Sequence, residues 1–477
     1  MLAIPLFILA LALRLIASGQ SFWLDEGASI FLARLPLPNL FTALAGDFHP
    51  PLFYLLLHFW LFILRSLGAV GPSEWLIRLP GIIFGAFTVP VLYLLVKEIV
   101  GESKTKLALT AAFLLALNPL HIYYSIELRM YSLNTLLSVL SWLYLVRGAK
   151  DKKNNHAPWH FYVLLTLLNL YTFYGTIFNL TAQAVFIFFL HKKKIKPFII
   201  SNFFVFLFFL PWLPTLTKQI AGGGYLTRAL PGWEQLSGNL SLKSLALIMA
   251  KFTFGRISLA NKSAYALFVV GITLYFFFCS LLALHKKENR PFLVWFFVSL
   301  SAAILVSLKA PVLGYWRLIF LIPAFVTIIA VGLSVLSGGS FFFNFLVVST
   351  IFMFGNLVFW TSPAFQRENW RAAAKLISID RSLAIVNFPD IFAPLKFYAP
   401  QVFYYPSQEA LGRPRADLDQ TLPLVLKGKE RVFVFDYLSD LTDRGRSILL
   451  WLKRAGLIQG KTHDIPGVGF IYEFSAP

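Results

Sequence analysis

Asp25 and Glu26 stand just past a first hydrophobic run. Asp47, His49 and the pair Pro50-Pro51 stand just before a second. Acids are scarce here: ten of the 22 Asp and Glu residues fall in residues 1–360, and these three are among them. A carboxylate at a membrane surface loses solvation, so its presence points to use. It can act as general base for an incoming hydroxyl or as an oxygen ligand to a divalent cation. Adjacent acids cannot share one helix face, so Asp25 and Glu26 are expected to point apart and do different work. The plain alternative for Asp25 is a cap on a helix beginning at Glu26-Gly27-Ala28. Pro50 and Pro51 suit a helix start and would hold His49 rigidly at the interface, unless they are only a Pro-rich helix entry.

Two further groups carry charge at expected span ends. In PLHIYYSIELRMY, Glu127 and Arg129 lie among apolar and aromatic residues, with Tyr131 two positions on. A guanidinium there suits a phosphate, because its planar fork binds two oxygens at once. The alternative is a Glu–Arg pair that fixes helix packing. In GYWRLIFLIP, Arg317 stands at the outer end of a late span, where a snorkelling Arg in an aromatic belt is the alternative reading.

The elements that position these residues are membrane spans. The chain is 58% hydrophobic and 13% charged, with 50 Phe, whereas a soluble chain carries about 25% charged residues. Apolar runs long enough to cross a hydrocarbon core recur through residues 1–360. They predict about 11 spans: 2–18, 77–96, 107–122, 129–146, 160–174, 176–190, 197–214, 263–284, 291–308, 317–335 and 341–360. Residues 2–18 lack a basic start and lead directly into the acid motif, so they read as an uncleaved span with Arg14 snorkelling at its outer end. The run 52–64 is short and contains His58, which suits a helix lying in the interface.

The net charge of +20 is no nucleic-acid signal, since 27 bases against ten acids sit in residues 1–360. Many of the bases form clusters between spans, such as Lys192 to Lys194 with Lys196, as cytoplasmic loops do. That assignment places the N-terminus in the cytoplasm and the loops 19–75 and 215–262 outside. The second loop holds Gly222 to Gly224, Pro231-Gly232 and an amphipathic stretch near 240–254. Residues 361–477 hold the other 12 acids and read as a separate extracytoplasmic α/β domain. Its helices are expected at 368–379 and 447–457, and its strands at 383–388, 431–438 and 469–474. The single cysteine, Cys279, excludes an internal disulfide.

Taken in order, the motifs resemble those of polyprenyl-phosphate-dependent glycosyltransferases of the GT-C class. The most similar members are prokaryotic relatives of the dolichyl-phosphate-mannose protein mannosyltransferases. Leu24-Asp25-Glu26, His49-Pro50-Pro51-Leu52, Arg78-Leu79-Pro80, Glu127-Leu128-Arg129-Met130-Tyr131 and Tyr315-Trp316-Arg317 carry the resemblance. It implies an all-α polytopic bundle with a small C-terminal α/β domain. It also implies Asp25 as catalytic base and Glu26 as a positioning acid. His49, Arg129 and Arg78 or Arg317 would hold the lipid phosphate, with Glu127 and Tyr131 at the substrate. The chain departs from the aminoarabinose-transferase branch, which has Lys where His49 stands. It has Phe53 and Tyr54 where protein mannosyltransferases have a Lys after the prolines.

Chemistry supports the same roles. A polyprenyl phosphate leaves as an anion and needs little acid help, so the site must supply a base for the acceptor and cations for the phosphate. One direct displacement inverts the anomeric carbon. A sugar nucleotide fits poorly, since no Gly-rich nucleotide-binding pattern is present. The expected partners are therefore a polyprenyl-phosphate sugar, a glycan, lipid or protein acceptor, and membrane lipid, in the cell membrane of a prokaryote. The sequence leaves open whether a divalent cation takes part, with Asp25, Glu26 and Asp47 as its candidate ligands. The rival reading is a transporter or flippase of lipid-linked sugars, whose mark would be charges buried mid-span.

Overall fold

The computed structural model describes residues 2–69, 71, 73–153, 155–229, 238–284 and 286–475. The expected Pro231-Gly232 turn lies outside them. Two compact units emerge. The first gathers Met1–Gly19 with Phe41–Gln219 and the chain from residue 238 to Thr361. The second joins Gln20–Leu40 and the helix end from Ile220 onward to the tail that begins at Ser362.

The first unit is helical. Each predicted span has a helix, and six described helices are long and apolar enough to cross a membrane. They are Glu74–Val100, Lys192–Gly224, Lys262–Leu284, Lys287–Ser307, Tyr315–Leu333 and Gly338–Thr361. Glu102–Leu117 and Pro119–Ser125 make a seventh if taken together across a 59° bend. Ala3–Leu15, Leu52–Ser66 and Thr176–Leu190 are apolar but shorter. The chain is a multi-pass membrane protein. One helix runs on to Ala229, into the stretch expected as loop, while Leu242–Phe254 matches the amphipathic segment.

Apolar contact alone does not select partners among helices in lipid, so buried polar side chains do much of the matching. Asn134 Nδ2 donates to Asn169 Oδ1 at 2.8 Å, and Asn169 Nδ2 donates to Ser138 Oγ at 3.0 Å. Further along, Trp142 Nε1 donates to Asn179 Oδ1 (2.7 Å) and Gln183 Nε2 to Ser141 Oγ (2.8 Å). This amide seam ties Tyr131–Lys150 to Ala157–Leu170 and Thr176–Leu190.

Arg14 departs from expectation. It is fully buried and does not snorkel. Its Nε donates to Ser125 Oγ (3.1 Å), its Nη1 to the Ala10 carbonyl (2.8 Å), and its Nη2 lies 2.6 Å from His121 Nδ1. Gly85 permits this approach: a Cβ there would come within 2.0 Å of Ser125 Oγ.

The tail of the second unit is a mixed five-stranded sheet. Strands β1 (Ser382–Val386), β2 (Phe403–Pro406), β5 (Arg431–Phe435), β6 (Ile458–Ile465) and β7 (Gly469–Ser475) lie in the order β2-β1-β5-β7-β6. A small ribbon, β3 (Gln408–Ala410) with β4 (Arg413–Pro414), completes it. β1 pairs in parallel with β2 and β5, and β7 pairs antiparallel with β5 and β6. Helix Trp370–Ile377 buries Trp370 against Phe392, Phe435 and Tyr437 on one side of this sheet.

Candidate active site

In the first unit, the loop before Leu52–Ser66 forms a polar cluster with Arg129. Pro51 precedes the helix, and the Leu52 amide donates to the Tyr171 carbonyl (2.9 Å), anchoring its start. Arg129 Nη2 lies 3.1 Å from His49 Nε2. A guanidinium only donates, so Nε2 accepts, and the imidazole proton sits on Nδ1, 3.2 Å from Asp47 Oδ2. Tyr54 OH donates to the same Asp47 oxygen (3.2 Å), and Arg129 Nη1 reaches Tyr54 OH at 3.5 Å. Burial works against ionisation of Asp47, but His49 and Arg129 outweigh it and hold the carboxyl well below its ordinary 3.8.

Gln219 braces this loop from a distant helix. Its Nε2 donates to the carbonyls of Leu44 (2.7 Å) and His49 (3.3 Å). Its Oε1 accepts from Tyr174 OH, which in turn accepts from Trp212 Nε1 (2.7 Å).

Arg317 lies within electrostatic reach of Arg129 and Tyr131, donates to the Pro311 carbonyl (2.9 Å) and stacks on Trp316. Two guanidiniums sharing one neighbourhood favour an anion there. Tyr131 packs its ring on Tyr124 and Phe173. Glu127 is buried and interacts with Arg256, which donates to Tyr123 OH (3.1 Å) and lies over that ring. Arg78 is buried and donates to the Ser18 carbonyl (2.7 Å), a contact that pins the end of the first helix.

Sequence reasoning missed Arg256, Tyr54 and Gln219. Arg256 had a signal, a base directly after Gly255 in the expected outer loop. Tyr54 and Gln219 had none, because each gains its role from a fold contact.

In the second unit, Asp25 and Glu26 occupy the first turn of helix Leu24–Ala33. Asp25 is partly exposed, whereas Glu26 is fully buried. The helix cap is Trp23, not Asp25: Glu26 Oε2 reaches back to the Trp23 amide (3.3 Å). The same oxygen lies 3.9 Å from Arg367 Nε. The preceding residues run along the tail. The Arg367 amide donates to Gln20 Oε1 (3.1 Å), the Arg371 amide to Ser21 Oγ (3.1 Å), and the Phe22 amide to Tyr398 OH (2.9 Å). Gly27 is required at its position: a Cβ would lie 2.6 Å from the Pro394 backbone nitrogen.

Among the described residues no group of three or more His, Cys, Asp and Glu is arranged to hold a metal ion. Glu26 already serves the Trp23 amide and Arg367, and Asp47 serves His49 and Tyr54.

Known proteins agree with this architecture. The family model for dolichyl-phosphate-mannose-protein mannosyltransferases matches residues 48–215, which include His49 and Arg129. Among solved structures, ArnT from Cupriavidus metallidurans bound to undecaprenyl phosphate is 12% identical, with a TM-score of 0.60 over 99% of this chain and 97% of that one. Its apo form gives 0.61 over the same shares. The oligosaccharyltransferase AglB from Archaeoglobus fulgidus, in complex with an inhibitory peptide and a dolichol-phosphate, is 12% identical with a TM-score of 0.53. That match covers 99% of this chain and 74% of AglB. No protein of curated function matches in sequence. The resemblance carried by the motifs is borne out at the level of the fold: residues 48–215 match the mannosyltransferase family model, and the chain has the GT-C fold of these structures.

Proposed function

We propose that the protein transfers a sugar from a polyprenyl-phosphate carrier to a hydroxyl acceptor at the outer membrane face, with inversion and with Asp25 as general base. The observation that carries this reading is the arrangement of Arg129. Its guanidinium is held by His49 and Tyr54 and has Arg317 within electrostatic reach, at the ends of apolar spans. Such a site suits a phosphate whose lipid tail lies among those spans. The undecaprenyl phosphate bound by ArnT and the dolichol-phosphate bound by AglB are ligands of that kind.

The step is a single displacement. The acceptor hydroxyl gives its proton to the Asp25 carboxylate as its oxygen bonds to the anomeric carbon. The bond from that carbon to the phosphate oxygen breaks, and its electron pair leaves with the polyprenyl phosphate. Arg129 and Arg317 meet the charge that grows on the leaving oxygen. Glu26 holds the turn that presents Asp25, Glu127 and Tyr131 line the substrate side, and Arg78 secures the helix ends.

The test uses purified protein in nanodiscs, short-chain radiolabelled polyprenyl-phosphate sugars and a membrane extract as acceptor. Loss of the base should lower transfer by about 10²–10⁴-fold in Asp25→Asn at unchanged folding. Undiminished transfer by that variant would remove Asp25 from the role. A retained anomeric configuration in the product would remove the single displacement.

A further inference from the structure

We propose that Glu368, in the tail, is a positioning residue for Asp25, holding the backbone turn from which that side chain projects. The inference rests on the reading of Asp25 as base. It makes the α/β domain part of the catalytic apparatus.

The geometry begins with the backbone of Glu368. The next residue, Asn369, caps helix Trp370–Ile377 by accepting from the Ala372 amide, and its own amide donates to the Pro466 carbonyl (2.9 Å). The turn between β6 and β7 presses close enough that a Cβ on Gly467 would lie 2.7 Å from Glu368 Cα. The main chain is therefore fixed before the side chain makes any bond.

The carboxylate then has two donors from the domain core. Trp370 Nε1 donates to Oε2 (2.6 Å), and Tyr437 OH donates to Oε1 (2.8 Å). The two rings meet edge to face in the core beneath the sheet. The third donor is the Leu24 amide, 3.1 Å from Oε2. Leu24 opens the acid helix, whose first amides have no partner within the helix and lie at its positive end. Glu26 takes the Trp23 amide and Glu368 takes the Leu24 amide, so the residue before Asp25 is tied to the sheet across 344 positions of sequence. Asp25 and Glu368 are also close enough to interact electrostatically. Burial lifts the Glu368 carboxyl above the ordinary range, and its three donors offset part of that rise.

The test compares wild type, Glu368→Gln, Glu368→Ala, Asp25→Asn and Asp25→Asn/Glu368→Ala in nanodiscs. Displacement of a catalytic group by about an ångström costs up to roughly 10²-fold, so kcat should fall about 10–100-fold in Glu368→Ala. KM for the lipid donor should stay within about twofold, because the residues assigned to the phosphate lie elsewhere. Glu368→Gln, which keeps one acceptor oxygen, should recover part of the loss. In the Asp25→Asn background the second substitution should add no further loss. A wild-type kcat in Glu368→Ala, or a full additional loss in the double variant, would overturn the proposal. An Asp25→Asn variant that transfers normally overturns the base assignment instead. Hydrogen exchange then still judges the contact: residues 20–30 should lose protection in Glu368→Ala while β1 and β5 keep theirs. Unchanged protection of residues 20–30 would overturn it whatever the activity.

Discussion

His49 sits between an acid and a guanidinium, with one ring nitrogen facing each. Asp47 accepts, Arg129 donates, and the ring passes one hydrogen bond through to the other. Asp47→Asn keeps an acceptor for Nδ1–H but removes the charge that balances Arg129, so it should cost about 1–2 kcal/mol of stability. The pH dependence has a definite sign. His49 and Arg129 lower the folded carboxyl below its unfolded value, so its contribution is complete above about pH 4 and is lost only as acid carries the pH down through the lowered value. Thermal unfolding should show a constant gap between wild type and Asp47→Asn from pH 7 to 5, closing only in stronger acid. A gap that changes within that range would show that another group controls the loop. Arg129 offers a second test at this scale. Lys keeps the charge but loses the fork that reaches His49 and Tyr54 together, so Arg129→Lys should weaken lipid-donor affinity about 10–100-fold. Unchanged KM in that variant would place the phosphate elsewhere.

The acid helix Leu24–Ala33 depends on contact with Ala393 and Pro394 rather than on its own helix propensity. Gly27 is the point of closest approach, and a methyl group there meets backbone that cannot rotate away. Gly27→Ala should therefore cost about 1–3 kcal/mol, against a small gain expected from helix propensity alone. Limited proteolysis should cut residues 20–40 faster in the variant, and equal rates would refute the tight contact. This element also shows where sequence reading reached its limit. Periodicity and apolar run length were enough to place the spans, helix Trp370–Ile377, the buried strands β1 and β5 and the final strand β7. β6 was not visible because most of its side chains are exposed and no apolar alternation marks it. Arg14 was misjudged because its partners, Ser125 and His121, lie more than a hundred positions away. Glu368 was invisible for a related reason: a single acid among the tail's many says nothing until the Leu24 amide is seen on it.

Charge is distributed unevenly along the chain, and at the scale of the whole molecule this predicts an orientation. Basic clusters such as Lys192 to Lys194 fall on alternate loops. Cationic loops resist translocation, so those loops are expected in the cytoplasm. The eleven spans expected from the sequence would then carry the tail to the opposite side from the N-terminus. Only that side serves a base on the acid helix if the acceptor is extracytoplasmic, because the helix folds with the tail. Cysteine labelling can decide the matter cleanly, since the one native thiol, Cys279, is buried. In a Cys279→Ala background, Lys427→Cys should react with an impermeant maleimide on intact cells. Lys193→Cys should react only after permeabilisation. Both positions are exposed on the protein, so a failure to label reports the membrane and not burial. The reverse pattern would put the α/β domain and Asp25 in the cytoplasm. The donor's sugar would then have to face inward, and the outer-face assignment would fall even if Asp25 remained the base.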